Sequence, residues 1–246
     1  MKKNAKIGNS IIYLDQTDST NNYIAKLVNE GKVEFGQVIL ADEQFEGRGQ
    51  RDAKWLSEIG KNLLFSVFIT LDNLSVTNQL FLMQYTAVSI CEALQDLGLN
   101  AQIKWPNDLV VDGNKIGGIL IENQLVGDKI VSSIIGVGLN VNQLNFGEIT
   151  ATSISEQLGG EQNRIEVFGK LLDKLNYYFQ FIEFDAAILN KQYLENLYRI
   201  NTTARFYSEK MGEFQGEIIG VDALGKLCLI HEKKEYRFEV KQIIFL

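Results

Sequence analysis

The spacing of apolar positions changes several times along this chain, and each change marks an element. Tyr23, Ile24, Leu27 and Val28 share one helical face, with Ser19-Thr20 as an N-cap before them and Gly31 as the stop. Gln37 to Ala41 has strand character. Asn62 to Thr70, rich in aliphatic and aromatic residues, predicts a buried strand, and Ser75 to Leu97 predicts a helix stopped by Gly98. Ile103 to Trp105, Leu109 to Val111, Lys115 to Glu122 and Lys129 to Val141 then read as strands. Their short turns make the last three antiparallel neighbours. From Arg164 to Tyr198 the helical period returns, with Ile165, Phe168, Leu172, Leu175, Tyr178 and Phe179 in one stripe. Beyond Asn201, short strand signals between Gly212, Gly216, Gly220 and Gly225 predict a small barrel. The change of pattern predicts a larger domain over 1–199 and a smaller one over 200–246.

One stretch follows no period. Gln44 to Gly60 is polar and glycine-containing, and a loop of that length in a compact domain is usually functional. The 246 residues are 46% apolar and 22% charged, ordinary for a globular protein. A net charge of −7 supplies no basic face for phosphate backbones, so nucleic acid (DNA included) is not expected as a main partner. The apolar patch Ile11 to Leu14 is too short for a signal-peptide core, and no run is long enough to span a membrane. Isolated Cys91 and Cys228 read as buried free thiols, which fits a cytoplasmic protein.

Several stock sites are excluded. The single histidine, His231, allows neither a histidine-dependent triad nor a histidine-rich metal centre, and two isolated cysteines do not make a zinc site. Gly220 to Leu227 nearly matches a P-loop but lacks the magnesium-binding hydroxyl and runs into a strand, so it reads as a turn. Gly136-Val137-Gly138-Leu139-Asn140 reads as a strand whose glycines allow close approach.

Three stretches remain. Lys104-Trp105-Pro106-Asn107-Asp108 contains the chain's one proline, which pushes Trp105 to an extended conformation. Lys104 then ends a strand near the Asp112-Gly113 hairpin turn, a rigid place from which to hold an anion. In Gly47-Arg48-Gly49-Gln50-Arg51-Asp52, glycines let backbone wrap an anion and arginines offer forked donors. A solvated surface loop is the alternative, because Glu43, Glu46, Asp52 and Glu58 offset Arg48, Arg51, Lys54 and Lys61. Thr17-Asp18-Ser19-Thr20-Asn21 is either a capping cluster or a ring of donors and acceptors around a neutral head group such as a urea.

Together these residues, with Gln44, Trp55, Lys115, Gly117-Gly118 and Gly136 to Asn140, resemble the biotin–protein ligases in order and spacing over the whole chain. The resemblance implies an α+β fold: a mixed β-sheet flanked by helices, related to class II aminoacyl-tRNA synthetases, with a small C-terminal SH3-like β-barrel. It implies that biotin and MgATP give biotinyl-5′-AMP and pyrophosphate, after which a lysine of a biotin carboxyl carrier domain attacks the anhydride. Catalysis would fall to Lys104, Arg48 and Arg51, with Lys104 bridging the biotin carboxylate and the α-phosphate. Biotin would be held by Ser19, Thr20, Asn21, Gln44, Arg48, Gly49, Gln50, Lys104, Gly118, Gly136 and Gly138. ATP would meet Arg48, Arg51, Trp55, Lys104, Asn107, Lys115 and Asn140, the last at the adenine. No metal is held by the protein; Mg2+ arrives on the ATP phosphates. Whether sheet edges pair into a homodimer is left open.

Two departures stand out. The family's loop usually has arginine at 50 and glycine then a basic residue at 52 and 53, where this chain has Gln50, Asp52 and Ala53. That predicts easier release of the adenylate. By resemblance the chain is expected to be the single-function form, without the N-terminal DNA-binding domain that bifunctional ligase-repressors carry. The same scaffold could instead activate lipoate or octanoate, or sense biotin without turnover; the hydroxyl-amide cluster opposes the first, and the loop arginines oppose the second.

Overall fold

The computed structural model describes residues 6–50, 53–184 and 186–246. The main sheet is built from β1 (Ile11–Thr17), β2 (Val38–Gln44), β3 (Leu63–Ser75), β4 (Ala101–Lys104), β5 (Asp108–Val111), β6 (Asn114–Val126) and β7 (Lys129–Leu139). Their order across the sheet is β1-β2-β3-β7-β6-β5-β4, with β1 and β2 parallel and every other pair antiparallel. Helix α1 (Thr20–Asn29) covers one face, while α2 (Leu80–Gln95), α4 (Arg164–Phe179) and α6 (Ala186–Glu195) belong to the other. Short α3 (Ile154–Leu158) and α5 (Phe181–Phe184) complete the helices of the described residues.

Alternation along β3 explains the layering. Phe65 is fully buried and meets Phe168 of α4 edge-on at 5.1 Å, and Leu63, Val67 and Ile69 share that core. The intervening Ser66 and Phe68 face α1, where Ile24 and Ile39 join Phe68 in a second cluster. This second layer is thin. It leaves room beside α1 for a cavity.

The expected helix over Arg164 to Tyr198 is three helices, α4, α5 and α6, each packed against α2. The helix expected from Ser75 begins as a 3-10 turn, Val76–Asn78, and turns α-helical at Leu80. Trp105 departs from expectation too. It lies in the turn between β4 and β5, with a cis peptide to Pro106, and buries its indole so that Nε1 donates to the Gly225 carbonyl at 2.9 Å. The driving force is apolar burial against the C-terminal unit, which local backbone preference does not foresee.

The C-terminal segment forms a second, antiparallel sheet: β8 (Thr203–Ser208), β9 (Gly212–Val221), β10 (Leu227–His231), β11 (Lys234–Phe238) and β12 (Ile244–Phe245), in the order β11-β10-β9-β8-β12. Phe206 packs on Phe214 and Phe245, and Phe214 stacks on Phe238, giving the aromatic core of an SH3-like unit. Among the described residues no helix is long and apolar enough to cross a membrane.

Candidate active site

A cavity of about 220 Å³ opens on the α1 face, between the start of α1, the loop after β2, and strands β6 and β7. Its floor is glycine. Gly118 pairs with Gly138 across β6 and β7, Leu120 pairs with Gly136, and Ser66 of β3 pairs with Gly136 on the other side. A Cβ on Gly136 would overlap the Asn21 amide, and one on Gly138 would overlap the Trp55 indole. The missing side chains are therefore what lets polar groups and an aromatic ring descend onto the sheet.

One end of the cavity is rich in neutral hydrogen-bonding groups. Thr20 gives both its backbone N–H and its hydroxyl to Gln44 Oε1, at 2.8 and 3.0 Å. Ser66 Oγ lies 2.7 Å from Thr20 Oγ1 and 2.6 Å from Asn21 Oδ1, and Asn21 Nδ2 donates to Glu122 Oε2 at 2.7 Å. Ser19 occupies the α1 N-cap, but its side chain makes no cap bond. Asp18 does the anchoring: it accepts from the Ser19 N–H at 2.7 Å, from Asn22 at 2.8 Å and from Thr17 at 3.0 Å. Burial opposes its charge, yet these bonds, led by Asn22, outweigh burial and hold the carboxyl below its ordinary range.

The loop closes on itself over the other side. Gly49 N–H reaches the Ala53 carbonyl at 2.7 Å and Trp55 N–H the Gly47 carbonyl at 2.9 Å. Arg48 pairs with Glu122 at 2.8 Å and also donates to Asn22 Oδ1 at 2.7 Å. The Trp55 indole rests on the floor, with Cζ3 3.1 Å from where a Gly118 Cβ would stand, and its buried Nε1 has no partner among the described residues. Lys115 projects its ammonium 5.6 Å from the Trp55 ring and 2.6 Å from Asp108 Oδ1.

Most residues singled out from the sequence meet here. Ser19, Thr20, Asn21 and Gln44 line the polar end; Arg48, Gly49, Gln50 and Trp55 line the flap; Asn107, Lys115, Gly118, Gly136 and Gly138 line the floor and far wall. Asn107 is also a structural tie, its Nδ2 donating to the Ile119 carbonyl at 2.9 Å. Arg51 and Asp52 lie outside the described residues.

Two expected residues stand apart. Asn140 does not line the cavity: it is buried, and its amide donates to the Thr152 carbonyl at 3.0 Å, fixing the segment before α3. Lys104 does not line it either. The register Lys104↔Asp108↔Gly118↔Gly138 runs straight across β4, β5, β6 and β7. Lys104 thus shares the face of the glycine floor but starts two strands, about 10 Å, from Gly118. Its Nζ stands 5.2 Å above the Phe245 ring of β12. The cation over the floor is Lys115, two strands in, on β6 itself.

Sequence reasoning overlooked Ser66 and gave Glu122 no site role. The period-2 spacing of Gly118, Leu120 and Glu122 was the available signal for Glu122. For Ser66, a lone serine in an apolar strand, nothing local marks the cavity.

A mixed sheet with a glycine floor, an amide-hydroxyl pocket and a cationic flap defines an acyl-activating ligase scaffold. The chain belongs to the biotin/lipoate A/B protein ligase family, whose model matches residues 13–140. It is 32% identical over 242 residues to the bifunctional ligase/repressor BirA of Bacillus subtilis (strain 168), covering 92% of this chain and 71% of that protein. It is 31% identical over 187 residues to the chloroplastic biotin–protein ligase 1 of Arabidopsis thaliana, covering 71% of this chain and 48% of that one. Among solved structures it superposes on the biotin protein ligase from Aquifex aeolicus in complex with biotin and ATP. The TM-score there is 0.76 at 27% identity, over 96% of this chain and 98% of that one. A point mutant of the same enzyme in complex with biotin gives 0.75 at 26% identity, over 97% and 98%.

Proposed function

We propose that this chain joins biotin to ATP, forming biotinyl-5′-AMP and pyrophosphate, and then transfers the biotinyl group to a lysine of a biotin carboxyl carrier domain. The observation that carries the reading is the polarity of the cavity. An amide-hydroxyl cluster suited to a urea lies at one end, a lysine stands above Gly118 at the other, and the glycine-rich strands β6 and β7 lie between.

Step one brings two anions together. At about 4 Å their repulsion is on the order of 4 kcal/mol at moderate effective dielectric, so a fixed cation must sit at the meeting point. Lys115 takes that place, between the biotin carboxylate and the α-phosphate. Asp108 holds its ammonium in position at 2.6 Å. Arg48 adds a forked donor from the flap once it leaves Glu122, and Arg51 is a second candidate on the same loop. Thr20, Asn21 and Gln44 hold the ureido ring; Trp55 lifts from the floor to cover the nucleotide, excluding water from the anhydride.

The carboxylate oxygen attacks the α-phosphorus, the bond to the bridging oxygen of the β-phosphate breaks, and pyrophosphate departs with the electron pair. Positioning and charge stabilisation supply the catalysis without a covalent enzyme intermediate. Magnesium would arrive carried on the ATP phosphates.

Incubation with biotin, MgATP and a carrier domain, read by intact mass, tests the reading. A biotin-sized addition to the carrier, lost in Lys115→Ala, is the expected result; no addition to any biotin carrier domain would overturn it.

A further inference from the structure

We propose that Glu122 is a positioning residue for the head group of the ligand: its carboxylate fixes the Asn21 amide with the oxygen toward the cavity, so that the pocket selects a ring N–H. This rests on the ligase reading above and deepens it. Glu122 acts through Asn21 and does not itself line the cavity.

The neighbours of an amide decide which of its two ends points where. A carboxylate only accepts. Glu122 Oε2 stands 2.7 Å from one end of the Asn21 amide, and that end is therefore Nδ2. Oδ1 is left over the floor, where it accepts from Ser66 Oγ at 2.6 Å and lies 2.4 Å from where a Gly136 Cβ would stand. Alternation along β6 puts Glu122 on the same side of the sheet as Gly118. Arg48 uses mainly the second carboxylate oxygen, Oε1, at 2.8 Å. The flap arginine can thus leave without turning Asn21.

Fixed this way, the pocket is one donor short. Gln44 Oε1, Thr20 Oγ1, Ser66 Oγ and Asn21 Oδ1 form a row with contacts of 3.0, 2.7 and 2.6 Å. The two hydroxyls bring two protons to these three oxygen–oxygen contacts. A turned Asn21 would supply the third through Nδ2, and Glu122 prevents that turn. Thr20, Asn21 and Ser66 are buried, which keeps bulk water from making up the difference. A ring N–H entering beside Asn21 brings a donor to this row of acceptors. A ring oxygen at the same place would face lone pairs and leave buried acceptors unmatched.

The alternative role for Glu122 is to brace the flap against β6 through Arg48. Calorimetric titration without ATP separates the two. The probes are biotin and its two cyclic carbamate analogues, in each of which oxygen replaces one ureido N–H. Wild type is expected to bind the analogue whose oxygen faces Asn21 about 100-fold more weakly than biotin, or worse. In E122Q, Arg48 claims the single side-chain oxygen, the new –NH2 faces Asn21, and the Asn21 amide turns over. Biotin should then bind about tenfold more weakly and that analogue no more weakly than before, so the ratio between them falls at least tenfold. A brace would weaken biotin and both analogues alike. A ratio that falls by less than tenfold, or a wild type that binds both analogues as tightly as biotin, would overturn the proposal. Should E122Q fail to fold, E122M, which removes the acceptor, serves in its place. A wild-type chain that neither binds biotin nor releases pyrophosphate with it would instead sink the ligase reading itself.

Discussion

Asp108 Oδ1 and Lys115 Nζ stand 2.6 Å apart, joining the turn after Pro106 to the strand that carries the glycine floor. The pair fixes a long, flexible side chain above bare backbone, where a freely rotating lysine would lose the benefit of its charge. Asp108→Asn is expected to lower the adenylation kcat about tenfold or more, with the KM for biotin within threefold. Lys115→Met should cost roughly 100-fold or more, on the scale of lost transition-state charge stabilisation. Single-turnover adenylation measures both, and an Asp108→Asn enzyme at full rate would remove the pair from the mechanism.

Gly136 and Gly138 make separable predictions. Gly136→Ala drives a methyl into the Asn21 amide, which is tied to Ser66 and Glu122, so biotin affinity should fall at least tenfold. Gly138→Ala meets the Trp55 indole instead, a group on a loop that can lift, so the loss should fall on ATP. Calorimetric titration of each ligand distinguishes them; equal losses for both ligands in both variants would deny the floor two distinct ends.

Gln50 lines the flap side of the cavity, at the loop position where the family resemblance implies an arginine. Gln50→Arg combined with Asp52→Gly should slow release of the adenylate about tenfold, because a guanidinium adds a charge-assisted bond to the phosphate. Leakage is read as biotinylation of free amines added in trans. Equal leakage from both proteins would show that the two residues do not set retention.

Asp18 links the site to pH. Its carboxyl lies below the ordinary range when folded, so its contribution is complete above about pH 4 and disappears as pH falls through the folded-state value. Asp18→Asn should flatten the acid side of the thermal-stability profile and weaken biotin binding by loosening the start of α1. Thermal unfolding across the acid range up to neutrality checks this; parallel profiles for the two proteins would contradict it.

Trp105→Phe removes the bond to the Gly225 carbonyl while keeping most of the buried ring. About 1 kcal/mol of stability should be lost, visible in denaturant unfolding, with the KM for biotin unchanged. A variant as stable as the wild type would show that the indole N–H contributes nothing there.

Much of this was legible in the chain alone. Alternation placed β3, β6 and β7, the cap residues Ser19 and Thr20 placed α1, and aperiodic, glycine-bearing 44–60 announced the flap, because local sterics and burial period act within a few residues. Most of the residues that line the cavity were named through the family resemblance that those motifs carry. Side-chain destination was not. Lys104 and Lys115 have the same chemistry and stand close together in one motif-rich stretch, and nothing local ranks them. The register of two hairpins puts Lys115 beside Gly118 and carries Lys104 to the outer strand, where β12 folds back and lays Phe245 against it. Asn140 was diverted in the same way, by the Thr152 carbonyl that needed a donor. Which segments are strand, helix and flap, and which groups could meet an anion, followed from the order of amino acids. Which ammonium stands over the floor came only with folding in three dimensions, because it depends on strand pairing and docking between residues the chain keeps apart.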